Sequence, residues 1–331
     1  MRPQGVLSIA LLLGAMVGAV AAAPAGTAGA VPLATPPTPL LQAEATPGEG
    51  QSAEAQPAQM PVLLAAGDIA RCGEPGAAAT AALLRDRPGT VATLGDNAYR
   101  AGSEQQFAEC YDPTWGAEKG RTRPALGNHD YGTREATGYF DYFGEAAGER
   151  GAGYYSYDLG TWHVAVLNSN CDEVGGCETG SPQERWLRAD LAAHPAACTL
   201  AYWHHPLFSS GKEHGGEPEM GPIWETLGEA GADVVLSGHE HNYERFAPQD
   251  ANGRADPRRG IRQFVVGTGG TGHYPFGEPL ATSEARNADT FGVLALTLRP
   301  TGYDWEFVPA ADAPVQADGD VFRDAGSGDC H

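Results

Sequence analysis

The sequence predicts an α/β sandwich with parallel strands in its core. Three observations carry that expectation. Short apolar runs alternate with helical patterns, the runs have the look of buried strands, and several end at a glycine followed by a polar side chain. Alternating strands and helices favour a sheet whose strands run parallel and whose faces are covered by helices.

In chain order, the apolar run 61–66 ends at Gly67-Asp68, and Gly76 to Arg85 has a helical pattern. Thr90 to Leu94 forms the next strand and ends at Gly95-Asp96. Residues 162–167 and 199–203 are two further buried strands, with an amphipathic helix from Pro182 to Ala193 between them. The run 232–236 leads to Ser237-Gly238-His239. Residues 261–266 and 291–308 are expected to form sheet with hairpin character. No internal repeat interrupts this order.

The flanking segments read differently. Arg2 precedes an apolar run over residues 6–23, and Ala19-Val20-Ala21 has the small-x-small pattern of a cleavage site. The run is rich in Gly and Ala rather than Leu and Ile, which favours a signal peptide at 1–23 over a membrane anchor. Residues 24–59 are Pro, Ala, Thr, Gly, Gln and Glu with few large apolar side chains, too little buried surface to offset ordering entropy. They are expected to form a disordered linker. A folded domain is expected over 60–312, followed by a tail over 313–331.

The 331 residues are 42% hydrophobic, enough for a sizeable core, and carry a formal net charge of -21 with a pI near 4.7. Nucleic acid and anionic membrane surfaces are therefore poor partners, and no stable membrane insertion is expected once the leader is cleaved. Six cysteines, Cys72, Cys110, Cys171, Cys177, Cys198 and Cys330, are an even number suited to an oxidising compartment, secreted or within the cell envelope. Their connectivity stays open. Cys171 with Cys177 would close a short Gly-rich loop, and Cys72 with Cys110 would tie two loops together. No CxxC pair supports a cysteine metal site.

One regularity points to chemistry. Asp68, Asp96, Asn128, His204 and His239 follow, or nearly follow, apolar runs that lie far apart in the chain. The carboxyl ends of strands in an open α/β sheet share one edge, where ligands bind. These segments would thus bring their side chains to one place.

The segments Gly67-Asp68, Gly95-Asp96-Asn97-Ala98-Tyr99, Gly127-Asn128-His129-Asp130, His204-His205-Pro206 and Gly238-His239-Glu240-His241 resemble, in this order, the calcineurin-like metallophosphoesterase superfamily. The octet from Gly238 to Arg245 resembles the GHxHxYER signature of purple acid phosphatases. Tyr99, three residues after Asp96, belongs to the same signature set. Most of the superfamily opens with Asp-x-His, whereas this chain has Asp68-Ile69-Ala70, a departure that accompanies the tyrosine in purple acid phosphatases. The resemblance covers about residues 60 to 310 and implies a four-layer α/β/β/α sandwich of two mixed sheets flanked by helices. The large accessory N-terminal domain of plant-type relatives has no counterpart, so the resemblance is to the compact form.

Carried over position by position, the resemblance implies that Asp68, Asp96, Tyr99 and His241 hold one metal ion. Asp96, Asn128, His204 and His239 would hold a second, with Asp96 bridging. A bridging carboxylate can keep two cations roughly 3.5–4 Å apart, the spacing that stabilises an in-line displacement. Phenolate favours Fe(III) at the Tyr99 site, while His and Asn suit Fe(II), Zn or Mn at the Asn128 site. The implied reaction is hydrolysis of a small phosphorylated substrate by a metal-bound hydroxide. His129 would contact the phosphate and assist the leaving group, Asp130 would orient its imidazole, and His214 would be a further substrate contact. Phosphate monoesters are the expected substrates; a phosphodiesterase acting on cyclic nucleotides or glycerophosphodiesters would use the same metals. A non-catalytic surface protein retaining the fold would show eroded ligands, and all seven positions are chemically intact here.

Other residues have plainer readings. His205 is expected to support the site rather than ligate. His163 reads as a satisfied sheet residue and His194 as the end of a helix. Gly267 to Gly272 reads as a turn at the site rim, with His273 beside it as a candidate substrate contact, Asn168 an edge or turn residue, and Asp233 a strand start.

Overall fold

The computed structural model describes residues 60–331 apart from residue 318, and the expected leader (1–23) and linker (24–59) lie outside the described residues. Two mixed β-sheets face each other. The first has six strands in the order Ala325–Asp329, Gly302–Pro309, Gly292–Arg299, Val62–Ala66, Thr90–Leu94 and Thr122–Ala125. Its last three strands are parallel to one another and the others antiparallel. The second has seven, in the order Ser283–Asn287, Tyr243–Phe246, Arg262–Val266, Val234–Ser237, Cys198–Tyr202, Trp162–Val166 and Tyr155–Leu159. Its central four strands run parallel.

Side-chain alternation accounts for the layering. Successive residues of a strand point to opposite faces. In the second sheet Val164, Val166, Leu200, Tyr202, Val234 and Leu236 join the cluster shared with the first sheet. Their neighbours Ala165, Ala201, Trp203 and Val235 join a separate cluster with Leu187, Ile223, Trp224 and Leu227. The latter four come from helices Pro182–Ala193 and Gly221–Glu229, which cover the outer face. Helix Gly76–Arg85 buries Ala77, Ala81 and Leu84 on the other side. The result is the expected four-layer α/β/β/α sandwich. The strands look uniformly apolar in sequence because both of their faces are covered.

Local signals set the helix limits. Ser181 caps Pro182–Ala193 by accepting a hydrogen bond from the Glu184 backbone N–H, and Pro182 occupies the first turn, where its missing N–H costs nothing. His194 stands at the other end of this helix. His163 sits between Asp158 and Asp190, at 2.9 and 2.8 Å, as a sheet residue with both ring nitrogens engaged. Asp233 precedes its strand and accepts from the Thr199 and His331 backbone N–H groups.

The C-terminus departs from the sequence reading. Residues expected to form a tail instead supply strand Ala325–Asp329, paired antiparallel with Gly302–Pro309 at the edge of the first sheet. Cys330 is bonded to Cys198 of the second sheet, and the other disulfides are Cys72–Cys110 and Cys171–Cys177. Asp324 accepts hydrogen bonds from Arg245 Nε (2.7 Å), Arg245 Nη2 (3.1 Å) and the Tyr243 hydroxyl (2.6 Å). Among the described residues no helix is long and apolar enough to cross a membrane.

Burial opposes ionisation of Asp324, but Arg245 and Tyr243 outweigh it and hold its carboxyl below the usual range. The stabilisation is therefore present at neutral pH and is lost only as the pH falls through that depressed value. We expect Asp324→Asn to cost about 1–3 kcal/mol at pH 7, as when one partner of a charged, mostly buried hydrogen-bonded pair is lost. In denaturant melts over a pH series, the gap between variant and parent should close in acid, below the ordinary carboxylate range.

Candidate metal centre

The carboxyl ends of five strands meet at one edge. Val62–Ala66 leads through Gly67 to Asp68, Thr90–Leu94 through Gly95 to Asp96, and Thr122–Ala125 through Leu126 and Gly127 to Asn128. From the second sheet, Cys198–Tyr202 leads to His204 and Val234–Ser237 to Gly238, His239 and His241. Tyr99 lies in the short strand Ala98–Tyr99, which pairs with Ala70–Arg71.

Glycine precedes four of these side chains for a steric reason. A Cβ on Gly95 would lie 2.5 Å from His204 Nδ1, one on Gly127 2.1 Å from Asp96 Oδ1, and one on Gly238 2.7 Å from Asp68 Oδ2. On Gly67 it would meet the Leu94 carbonyl oxygen at 2.8 Å. Asp68, Asp96 and His239 themselves have φ of 61, 52 and 70°, left-handed values that non-glycine residues rarely adopt. Backbone strain of this kind persists where the surroundings over-determine it, commonly at functional sites.

The donor atoms form two groups that share one oxygen. Tyr99 Oη lies 2.8 Å from Asp68 Oδ1, 2.8 Å from Asp96 Oδ2 and 3.2 Å from His241 Nε2, which is 3.3 Å from Asp68 Oδ1. His204 Nε2 lies 3.4 Å from the same Asp96 Oδ2, 3.1 Å from Asn128 Oδ1 and 3.2 Å from His239 Nδ1. All seven expected ligands are thus brought together, in the two expected sets. The donors fit a pair of cations: hard oxygens dominate one group, and imidazole with amide the other. The remaining oxygens anchor the loops, since Asp68 Oδ2 accepts from the His239 N–H and Asp96 Oδ1 from the His129 N–H, both at 2.8 Å.

Charge follows from the crowding. Burial and the Asp68 and Asp96 carboxylates push the Tyr99 phenol well above its ordinary pKa. Burial opposes ionisation of Asp96, yet His204 and His129 hold it well below the usual carboxylate range. Burial likewise disfavours protonation of His204, and Asp96 overrides it, pushing the imidazole up to about 9. Burial and neighbouring imidazoles keep His239 neutral, and they lower His205 to about 3. His204 Nδ1 faces the Leu94 carbonyl oxygen at 2.7 Å, which can only accept. That fixes one hydrogen on Nδ1 and turns Nε2 to the donor cluster, where its lone pair becomes available to a cation only once the proton favoured by Asp96 is displaced. The Leu94 carbonyl is an outer contact of the kind that orients metal-binding imidazoles.

The substrate-side residues are placed unevenly. His129 Nε2 is 3.9 Å from Asp96 Oδ2, and its Nδ1 lies 2.6 Å from the Arg100 carbonyl oxygen. The expectation that Asp130 orients this ring needs correction. The Asp130 carboxylate accepts from the Gly127 N–H and the Asn97 side chain, and the Arg100 carbonyl holds His129 instead. Asp130 is fully buried, and burial with the Asp96 charge pushes it up to about 7. His214 does reach the centre, its ring centroid 4.2 Å from that of His239.

Sequence reasoning missed several neighbours. Tyr274 stacks on His241 at 3.9 Å with an 11° tilt, whereas its neighbour His273 packs on Phe291 at 4.1 Å. His205, expected to support the site, has its ring centroid 4.4 Å from that of His239, and the Ser169 Oγ that holds its Nδ1 at 2.7 Å is the unforeseen neighbour. Glu240, fully buried between two expected ligands, accepts from the His214 and Gly215 N–H groups. A carbonyl such as that of Arg100 leaves no trace in residue identity, and Ser169 carries no motif. Glu240, inside a recognised octet, did carry a signal. Asn168 bonds to Tyr131 and Ala152, away from the donor groups, and residues 267–271 form a turn against Gly67 and Asp68.

The family model for calcineurin-like phosphoesterase matches residues 61–243, more than half of the chain. The chain belongs to the calcineurin-like phosphoesterase family. Within it, the chain is purple acid phosphatase-like. It is 39% identical over 122 residues to purple acid phosphatase 22 of Arabidopsis thaliana, covering 35% of this chain and 27% of the relative. Purple acid phosphatase 23 of the same plant is 29% identical over 202 residues, covering 50% and 43%. The chain thus spans about a quarter of the length of the first of these relatives and under half of the second. The purple acid phosphatase PPD1 from yellow lupin superposes with a TM-score of 0.66 at 20% identity, covering 81% of this chain and 53% of that one.

Within this calcineurin-like centre Gly127 is the most confined glycine next to a ligand, because its missing Cβ would meet the Asp96 carboxylate. We expect Gly127→Ala to displace that group and to lower bound metal well below the parent's content in elemental analysis. Full metal content in a folded variant would refute this close contact.

Proposed function

We propose that the chain is an exported two-metal phosphoesterase acting on small phosphate monoesters, with Asp68, Asp96, Tyr99 and His241 at one metal and Asp96, Asn128, His204 and His239 at the other. The observation that carries the reading is the shared Asp96 Oδ2, within 2.8 Å of Tyr99 Oη and 3.4 Å of His204 Nε2. Purple acid phosphatase relatives support the choice of reaction, and three disulfides support an oxidising compartment. Tyr99 favours Fe(III) in the first group, with Fe(II), Zn or Mn in the second.

When bound, such a metal pair supplies Lewis acidity that lowers the pKa of water and offsets phosphate charge. The chain's own groups do the rest. Because the Arg100 carbonyl can only accept, His129 donates to it from Nδ1, which leaves Nε2 turned toward the site. That nitrogen, partly exposed beside Asp96, is placed to donate to a phosphate or leaving-group oxygen. His214, whose ring lies over that of His239, offers a second contact. Tyr274 walls the site by covering His241.

Metal analysis and a visible spectrum test the metal assignment. A broad phenolate-to-iron charge-transfer band is expected, and it should vanish in Tyr99→Phe; a colourless, fully loaded protein holding only Zn or Mn would overturn it. His129→Ala is expected to lower turnover of an aryl phosphate monoester by about 100-fold with metals retained. Faster turnover of the corresponding aryl diester than of the monoester would reverse the substrate assignment.

A further inference from the structure

We infer that Glu240 is a positioning residue that sets His214 over the metal centre, through the backbone of the loop 209–216. This inference rests on the phosphoesterase reading for the meaning of His214.

The loop is fastened to the segment that carries His239 and His241. Glu240 is fully buried, and its Oε1 accepts from both the His214 and the Gly215 N–H at 2.7 Å. Four residues on, Glu244, also fully buried, accepts the Ser210 N–H at 2.8 Å through Oε2. The loop approaches so closely that a Cβ on Gly211 would fall 2.1 Å from the Glu240 carboxyl carbon. Two acids from one segment therefore grip both ends of the loop. A buried carboxylate is costly unless hydrogen-bonded, and these backbone donors are what Glu240 Oε1 has.

The grip bears directly on the site. The His214 ring lies 4.2 Å from that of His239, and His239 and Glu240 are adjacent in sequence. Fixing the His214 N–H to Glu240 fixes the ring relative to the donor cluster without tying up either ring nitrogen. Both contacts run through one oxygen, and Oε2 makes no hydrogen bond among the described residues. An amide oxygen can accept the same two N–H groups, so glutamine should preserve the geometry while alanine removes it.

The test uses metal-loaded protein, with inorganic phosphate as the probe for binding and a crystal structure for ring position. Glu240→Ala should weaken phosphate binding by roughly 10- to 100-fold, the scale of a 1 Å misplacement, with metal content unchanged. His214→Ala should match it, the double variant should be no weaker than His214→Ala alone, and Glu240→Gln should restore most of the loss. Unchanged phosphate binding in Glu240→Ala, or effects that multiply in the double variant, would overturn the inference. Should Glu240→Ala not fold, Gly211→Ala disturbs the same contact from the other side and must show the same loss. Wild-type protein inert toward every phosphate ester would sink the phosphoesterase reading by itself. The positioning role is then decided by whether the His214 ring leaves its place beside His239 in the variant's crystal structure, and a ring that stays put refutes it.

Discussion

Two carboxylates lie within hydrogen-bonding distance of one phenol in the buried interior, and the architecture of this edge follows from that crowding. Asp68 and Asp96 are 0 and 1% exposed, and both lie 2.8 Å from Tyr99 Oη. Concentrated negative charge away from water is costly unless hydrogen-bonded and offset by positive charge. The chain meets part of that need itself. Each aspartate turns one oxygen toward the shared donor cluster and gives the other to a backbone N–H from another ligand loop. His204 stands against Asp96 as the nearest positive partner. The proposed cations would supply the rest. Packing this tight leaves no space for a Cβ beside Asp68, Asp96 or His204, so glycine is required at Gly238, Gly127 and Gly95.

That coupling explains why so much was legible in the sequence. A glycine forced by a neighbouring ligand, followed by the ligand itself, at the end of an apolar run, is a local pattern repeated along the chain. The helices Gly76–Arg85 and Pro182–Ala193 and the strand Thr90–Leu94 fall where periodicity and caps put them. Six of the seven expected donors follow a strand whose direction a large sheet fixes, and Tyr99 stands in a short strand of its own beside them.

What was not legible depends on contacts that residue type does not encode. Asp130 follows His129 in sequence, which suggested a partnership, but its side chain turns inward to Gly127 and Asn97. A main-chain carbonyl holds the imidazole instead, and any residue at position 100 except for its effect on the backbone would offer the same oxygen. His273 reads in sequence as a candidate substrate contact, yet it packs on Phe291, and Tyr274 is the one that covers His241. The final strand shows the same limit most clearly. Ala-Gly-Ser-Gly-Asp has poor β-propensity and reads as a tail. In the sheet, Gly326 pairs with Trp305 and Gly328 with Tyr303. A Cβ at either glycine would come within 2.4–2.5 Å of those rings. The glycines are there to admit aromatic side chains from the neighbouring strand, a reason visible only once the pairing is known.

The octet from Gly238 to Arg245 touches the metal centre, the substrate-side loop and the C-terminal edge. His239 and His241 join the two donor groups. Glu240 and Glu244 grip the loop that bears His214. Tyr243 and Arg245 bond to Asp324, immediately before the last strand. Tyr243 and Arg245 belong to a strand, so they share a face while Glu244 points to the other. One short segment thus faces the metal centre, the substrate-side loop and the C-terminal edge at once. A change at any of its positions is felt by whichever of the three that side chain meets, so its pattern is recognisable as a unit although only two of its side chains are proposed to touch metal.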